Sequence, residues 1–243
     1  MVDPFFRTNV AGVGVGDRVS YDAGLRAHMQ RVFNYMAGGL AVTGLAAYIV
    51  AHTALAQLIY GSPLQIVVML APLAFLIFGM NFQNLSASSA QTRFWIFSTL
   101  MGLSLGWIFM AYTDVSVVRA FFVTSATFGA MSLWGYTTKK DLTNFGAFMM
   151  MGVLGIFIAT CVNYLLSAFS SGPSPMMQWI VSVIGVVVFT GLTAYDVQNI
   201  KLTYAEGWGA EANNKSAIVG ALHLYINFIN AFQFLLSLMG DRR

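Results

Sequence analysis

Seven apolar runs, each close to twenty residues long, divide this chain and restrict it to one kind of fold. They lie at about 33–51, 64–82, 94–112, 118–136, 145–167, 177–197 and 217–239. A helix rises 1.5 Å per residue and the hydrocarbon core of a bilayer is about 30 Å thick, so each run is near the length of a span. Backbone polar groups in lipid must be satisfied within their own segment or within a closed barrel. Runs this long and this uniformly apolar therefore predict helices. The expected fold is an all-α integral membrane bundle of seven transmembrane helices.

Composition removes the alternatives. Hydrophobic residues make up 58% of the 243 positions and charged residues 9%, against roughly 25% charged in a soluble domain. The twelve Lys and Arg residues are scattered in ones and twos, without the basic stripe that nucleic acid requires. One cysteine, Cys161, rules out an internal disulfide. Residues 1–27 carry Asp3, Arg7, Asp17, Arg18, Asp22 and Arg26 and no apolar core of signal-peptide length, so they read as a polar arm. Residues 28–243 read as the transmembrane domain. Short turns such as Gly61-Ser62-Pro63 join the runs, and the longest polar stretch, about 201–216, cannot form a separate domain.

Basic residues set the expected orientation. With seven spans, Arg7, Arg18, Arg26, Arg31, Arg93, Lys139, Lys140, Lys201 and Lys215 fall on one side, and Arg119, Arg242 and Arg243 on the other. The N-terminus is expected in the cytoplasm and the C-terminus outside. A six-span chain would return Arg242 and Arg243 to the cytoplasm, but the last run is as apolar as the others. Small residues at helical spacing (Gly102 and Gly106, Gly152 and Gly155, Gly185 and Gly191) point to close helix packing.

The candidate chemistry is sparse. Of nine acidic residues only Asp196 falls within or at the end of a span, and an ionisable group at membrane depth is a functional candidate by default. Thr193, Asp196 and Asn199 recur every three residues and form a slanting polar strip. An interfacial Asp196 compensated by Lys201 is the plainer reading. In the last run His223, Asn227, Asn230 and Ser237 fall within roughly 40° of one line at 100° per residue. Such a line faces protein or water, whether it serves interhelical hydrogen bonds or lines a cavity. No enzyme constellation is present: there is no His-Glu-x-x-His, no second membrane carboxylate and no lysine in the last run, and His28, His52 and His223 are dispersed. We expect no enzyme activity and no cofactor.

Two motifs make the sequence recognisable. Gly191-Leu-Thr193-Ala-Tyr195-Asp196-Val-Gln198-Asn-Ile-Lys201 and Ala221-Leu-His223-Leu-Tyr225-Ile-Asn227-Phe-Ile-Asn230 resemble the bacterial branch of the Bax-inhibitor-motif family, with further likeness at 121–141 and 182–191. The resemblance covers about residue 25 to the end. It implies six outer helices around a central C-terminal helix, and a pH-sensitive calcium leak in which two aspartates pair near the cytoplasmic mouth. Asp196 matches the first aspartate. Asn227 stands at the second, where many relatives carry aspartate; an amide exchanges hydrogen bonds but does not titrate, and it halves the carboxylate charge offered to Ca²⁺. The basic latch that some relatives carry late in the second helix has no counterpart in Asn81-Phe-Gln-Asn84.

The resulting expectation is a bacterial inner-membrane cation (calcium) leak gated near Asp196 and Asn227. His223 and Asn230 lie on its path, Thr193, Tyr195, Gln198 and Tyr225 support it, and Asp196 is at most a weak Ca²⁺ ligand. Expected partners are the lipid bilayer and Ca²⁺ or protons. The alternative is a non-conducting membrane regulator acting in stress protection or on a membrane protease.

Overall fold

A computed structural model describes residues 15–79, 86–167, 172–205, 207 and 209–243, with side chains from residue 22 onward. Among these residues nine α-helices follow one another: α1 Val15–Ala51, α2 Leu55–Tyr60, α3 Leu64–Ala74, α4 Ala87–Leu105, α5 Trp107–Ala111, α6 Asp114–Thr137, α7 Thr143–Ser167, α8 Pro175–Thr203 and α9 Gly209–Met239. Among the described residues there is no strand, only an isolated bridge between Tyr112 and Arg242.

Among the described residues six helical stretches are long and apolar enough to cross a membrane: Asp22–Ala51, Ala87–Ala111, Asp114–Thr137, Thr143–Ser167, Pro175–Thr203 and Gly209–Met239. This differs from the seven spans of similar length expected. Among the described residues the second run is the shorter apolar helix Leu64–Gly79. Pro72 interrupts its ladder, and the chain continues as a π turn over Phe75–Gly79, the usual accommodation to a missing backbone donor. Residues 80–85, with the uncharged segment 81–84, lie outside the described residues. The third run is likewise split, with α4 ending at Gly106 and α5 following it. α1 begins at Val15, inside the stretch expected to be a polar arm; a polar turn can extend a helix beyond the apolar run that anchors it.

Hydrogen bonds sort the bundle into two ends. At the first, Arg31 of α1 donates to Asn214 of α9 and Arg93 of α4 donates to the Gly79 carbonyl. At the second, the Tyr60 hydroxyl donates to the Leu103 carbonyl and the Thr113 N–H to the Asp241 carbonyl at 3.1 Å. There too Arg243 pairs with Asp114 at 2.8 Å. α1 therefore starts at the first end and α9 finishes at the second. Between them Ser104 reaches the Met69 carbonyl, so α3 runs antiparallel to α4.

α9 is the best enclosed helix. Its apolar stretch is 61% buried, against 17% for α7, and it packs on α8, α1, α6 and α4. Small residues permit these approaches. A Cβ on Gly102 would meet the Ala46 Cβ and the Thr43 carbonyl of α1 at 2.6 Å. Gly155 breaks the pattern, because nothing lies within 4 Å of its would-be Cβ. Substituting Gly102→Leu should separate α1 from α4 and lower stability in detergent by about 1–3 kcal/mol, the usual cost of overpacking, whereas Gly155→Leu should leave the melting temperature unchanged. Thermal melts of both variants check this.

Candidate functional site

The site forms where α8 meets α9 in the half of the bundle nearer the first end. α8 is started by Ser174, whose hydroxyl accepts the Met177 N–H at 3.4 Å, with Pro175 opening the helix; both are favourable N-terminal devices. The helix then runs unbroken to Thr203. This length carries Asp196 past the middle of the bundle to face Asn227 of α9. The Asn227 Nδ2 donates to the Asp196 Oδ2 at 2.7 Å. Asn227 is only 5% exposed and Asp196 is half-buried. The bond joins the only acidic side chain on the described part of α8 to the best enclosed helix.

The other candidate residues divide into several groups. His223 is exposed, one turn before Asn227 on α9. Asn230 is half-buried and donates to the Ile226 carbonyl of its own helix at 2.8 Å. Thr193 is buried and likewise turns back to its own helix, donating to the Phe189 carbonyl at 2.9 Å. Tyr195 points away from α9, and its ring lies over Gly146 of α7. None of these three hydrogen-bonds the Asp196–Asn227 pair.

Gln198 and Lys201 hold the adjoining loop. The Gln198 Oε1 accepts the Leu142 N–H at 2.8 Å and its Nε2 donates to the Lys140 carbonyl at 2.8 Å. Lys201 donates to the Tyr136 carbonyl at 2.8 Å and lies over the Tyr136 ring. This corrects the expectation that Lys201 compensates Asp196: its ammonium caps the end of α6, where helix carbonyls lack partners. In the same loop Asp141 accepts both the hydroxyl and the N–H of Thr143, and these bonds hold its carboxyl below the usual range. A depressed carboxyl stabilises the fold above its unfolded pKa, and that contribution is lost as pH falls through the folded value.

Sequence reasoning missed a second polar knot. Tyr225 is fully buried and its hydroxyl lies 2.6 Å from the Thr43 Oγ1, which donates to the Ser98 carbonyl at 2.8 Å. One bonded chain thus ties α9 to α1 and α4, two residues from Asn227. Thr43 and Ser98 gave no signal, since hydroxyls in spans commonly bond their own helix. His28 was set aside as dispersed, yet it is 3% exposed against the Tyr204 ring, and among the described residues its ring nitrogens have no hydrogen-bond partner.

At the second end Asn230 and Ser237 line a cavity of about 320 Å³ with Asn163, Gln178, Gln233 and Arg242. The polar line on α9 therefore runs from the Asp196 contact to a chamber of mixed lining, in which these polar side chains stand among Trp107, Ile108, Tyr164, Val181, Phe234 and Leu236. From Asn227 to Asn230 the axial rise is about 4.5 Å. Among the described residues no three His, Cys, Asp or Glu side chains converge, so Asp196 would offer Ca²⁺ one carboxylate where the ion takes six to eight oxygens.

Replacing Gln198 by Ala should strand the Leu142 N–H and the Lys140 carbonyl and cost about 1–3 kcal/mol. Hydrogen exchange should then rise at residues 140–146 before it rises in α9; equal protection in both segments would contradict the clamp.

The geometry can be set beside known proteins. Residues 25–243 match the family model described as inhibitor of apoptosis-promoting Bax1. A protein of Caulobacter vibrioides is 44% identical over 237 residues, covering 93% of this chain and 92% of its own. The inner membrane protein YbhL of Escherichia coli K12 is 40% identical over 226 residues, covering 91% and 94%. Rickettsia prowazekii has a relative, RP147, that is 40% identical over 226 residues, covering 92% and 93%. The match takes in both late motifs and every helix from the first span onward, so the chain belongs to the Bax inhibitor family of membrane proteins.

Proposed function

We propose that this protein is a calcium-permeable cation leak of the bacterial inner membrane, closed at the contact between Asp196 and Asn227. The observation that carries the reading is the 2.7 Å hydrogen bond across the α8–α9 interface. On this reading the bond closes the polar line of α9 on the side of the first end, and the cavity lined in part by Asn163, Gln178, Asn230 and Gln233 lies beyond it toward the second. Opening requires α8 and α9 to part at this bond, with His223 beside the entrance and Asn230 beyond it.

The reading includes seven crossings, with α9 as the central helix. It is supported by the antiparallel course of α3 along α4 and by the opposite ends at which α1 starts and α9 finishes. The excess of basic residues at the first end supports a cytoplasmic position for that end and for the N-terminus. The name of YbhL, an inner membrane protein, supports the same compartment.

With an amide opposite Asp196 there is one carboxylate to titrate, so the pH response is shallower than a coupled carboxylate pair would give. Purified protein in liposomes loaded with a calcium dye should leak above empty vesicles. Asn227→Ala removes a hydrogen bond to a charged group, about 1.5–3 kcal/mol, and should raise the leak about tenfold or more. Asn227→Asp should steepen its pH dependence. Absence of flux between about pH 5 and pH 8, the range where perturbed carboxylates titrate, would defeat the leak reading. The pair would then stand as a structural clamp in a non-conducting regulator.

A further inference from the structure

On the side of α9 opposite the chamber of mixed lining, α1 and α6 make no substantial contact with each other. Between them lies an apolar cleft of about 310 Å³, walled by Leu40 and Gly44 of α1 and by Val118 and Phe122 of α6. Its floor is Phe228 and Phe232 of α9. The innermost helix is therefore open sideways, within segments long and apolar enough to lie in the membrane. Thr43 is the one polar residue at the cleft, and its hydroxyl is already engaged by Tyr225 and the Ser98 carbonyl.

Two observations indicate what fills it. Gly44 sits in mid-helix, where glycine is among the poorest helix formers, yet a Cβ there would meet nothing within 4 Å. By contrast, Gly39 and Gly102, elsewhere in the α1–α4 pair, are pressed against protein. The room at Gly44 is thus not used by this chain. Second, Arg119 is exposed on α6 beside the cleft-lining Val118 and one turn before Phe122, toward the second end, and among the described residues it pairs with no carboxylate. A cation at the rim of an apolar groove, near the end of a span, suits a phosphate at the headgroup level.

We infer that the cleft between α1 and α6 is a phospholipid site. One acyl chain lies over Phe228 and Phe232 beside Gly44, and the phosphodiester rests on the Arg119 guanidinium. The occupant comes from the surrounding bilayer, which presents hydrocarbon to the mouth of the cleft at every moment. The site is independent of whether the protein conducts.

The test is native mass spectrometry of protein extracted from its own membrane in mild detergent, with the retained lipid identified after extraction. Wild type should carry one phospholipid per chain. Gly44→Leu fills empty space, so it should keep or raise the melting temperature while lowering the lipid-bound fraction about tenfold. Arg119→Gln should lower that fraction several-fold, with Arg119→Lys restoring part of it. Wild type free of lipid, or Gly44→Leu holding as much as wild type, would overturn the assignment. So would a second copy of the chain, or a non-lipid molecule, displaced by Gly44→Leu.

Discussion

A polar line on a membrane-spanning helix cannot face lipid, and this constraint organises the rest of the protein. His223, Asn227, Asn230 and Ser237 run along α9, and the bundle deals with them in sequence. Asn227 is covered by α8 and satisfied by Asp196. Asn230 and Ser237 open on the chamber of mixed lining. Tyr225, on a neighbouring face, is tied to α1 and α4 through Thr43. Exposed His223 lies nearest the first end. Enclosing this helix demands neighbours on nearly all sides, which is why α9 is the best buried span while α7, packed chiefly on α8, is the least.

The two faces of α9 beyond Asn227 have opposite chemistry. One carries Asn230, Gln233 and Ser237 to a chamber of mixed lining and the other floors an apolar cleft. A single bond to Asp196 sits at the base of both. Side-chain hydrogen bonds between helices in lipid contribute modestly, about 0.6–2 kcal/mol. The loop clamps at Gln198 and Lys201 fix the end of α8 to α6 and the α6–α7 loop, so movement at Asp196 is confined to its contact with α9.

Much of this was legible in the sequence because membrane constraints are coarse and strict. The apolar runs located the six long helices, and the scarcity of charge within them singled out Asp196. The line on α9 marked the helix that must be covered, and the two late motifs named the family and paired Asp196 with Asn227. What escaped had short-range causes. Pro72 removes a backbone donor from its helix, which hydropathy does not register. Thr43 and Ser98 could bond their own helices as readily as Tyr225. Lys201 was assigned to the nearest acid in sequence, whereas the end of α6, distant in sequence, supplies its acceptor.

The central claim is that Asp196 and Asn227 act as one unit between α8 and α9. A double-mutant cycle with Asp196→Asn and Asn227→Leu, read as unfolding free energy in lipid-matched detergent, measures this coupling directly. The expected result is an interaction energy of about 1 kcal/mol or more. Effects that add within about 0.3 kcal/mol would show two side chains that happen to be adjacent, and the account of the site would not stand.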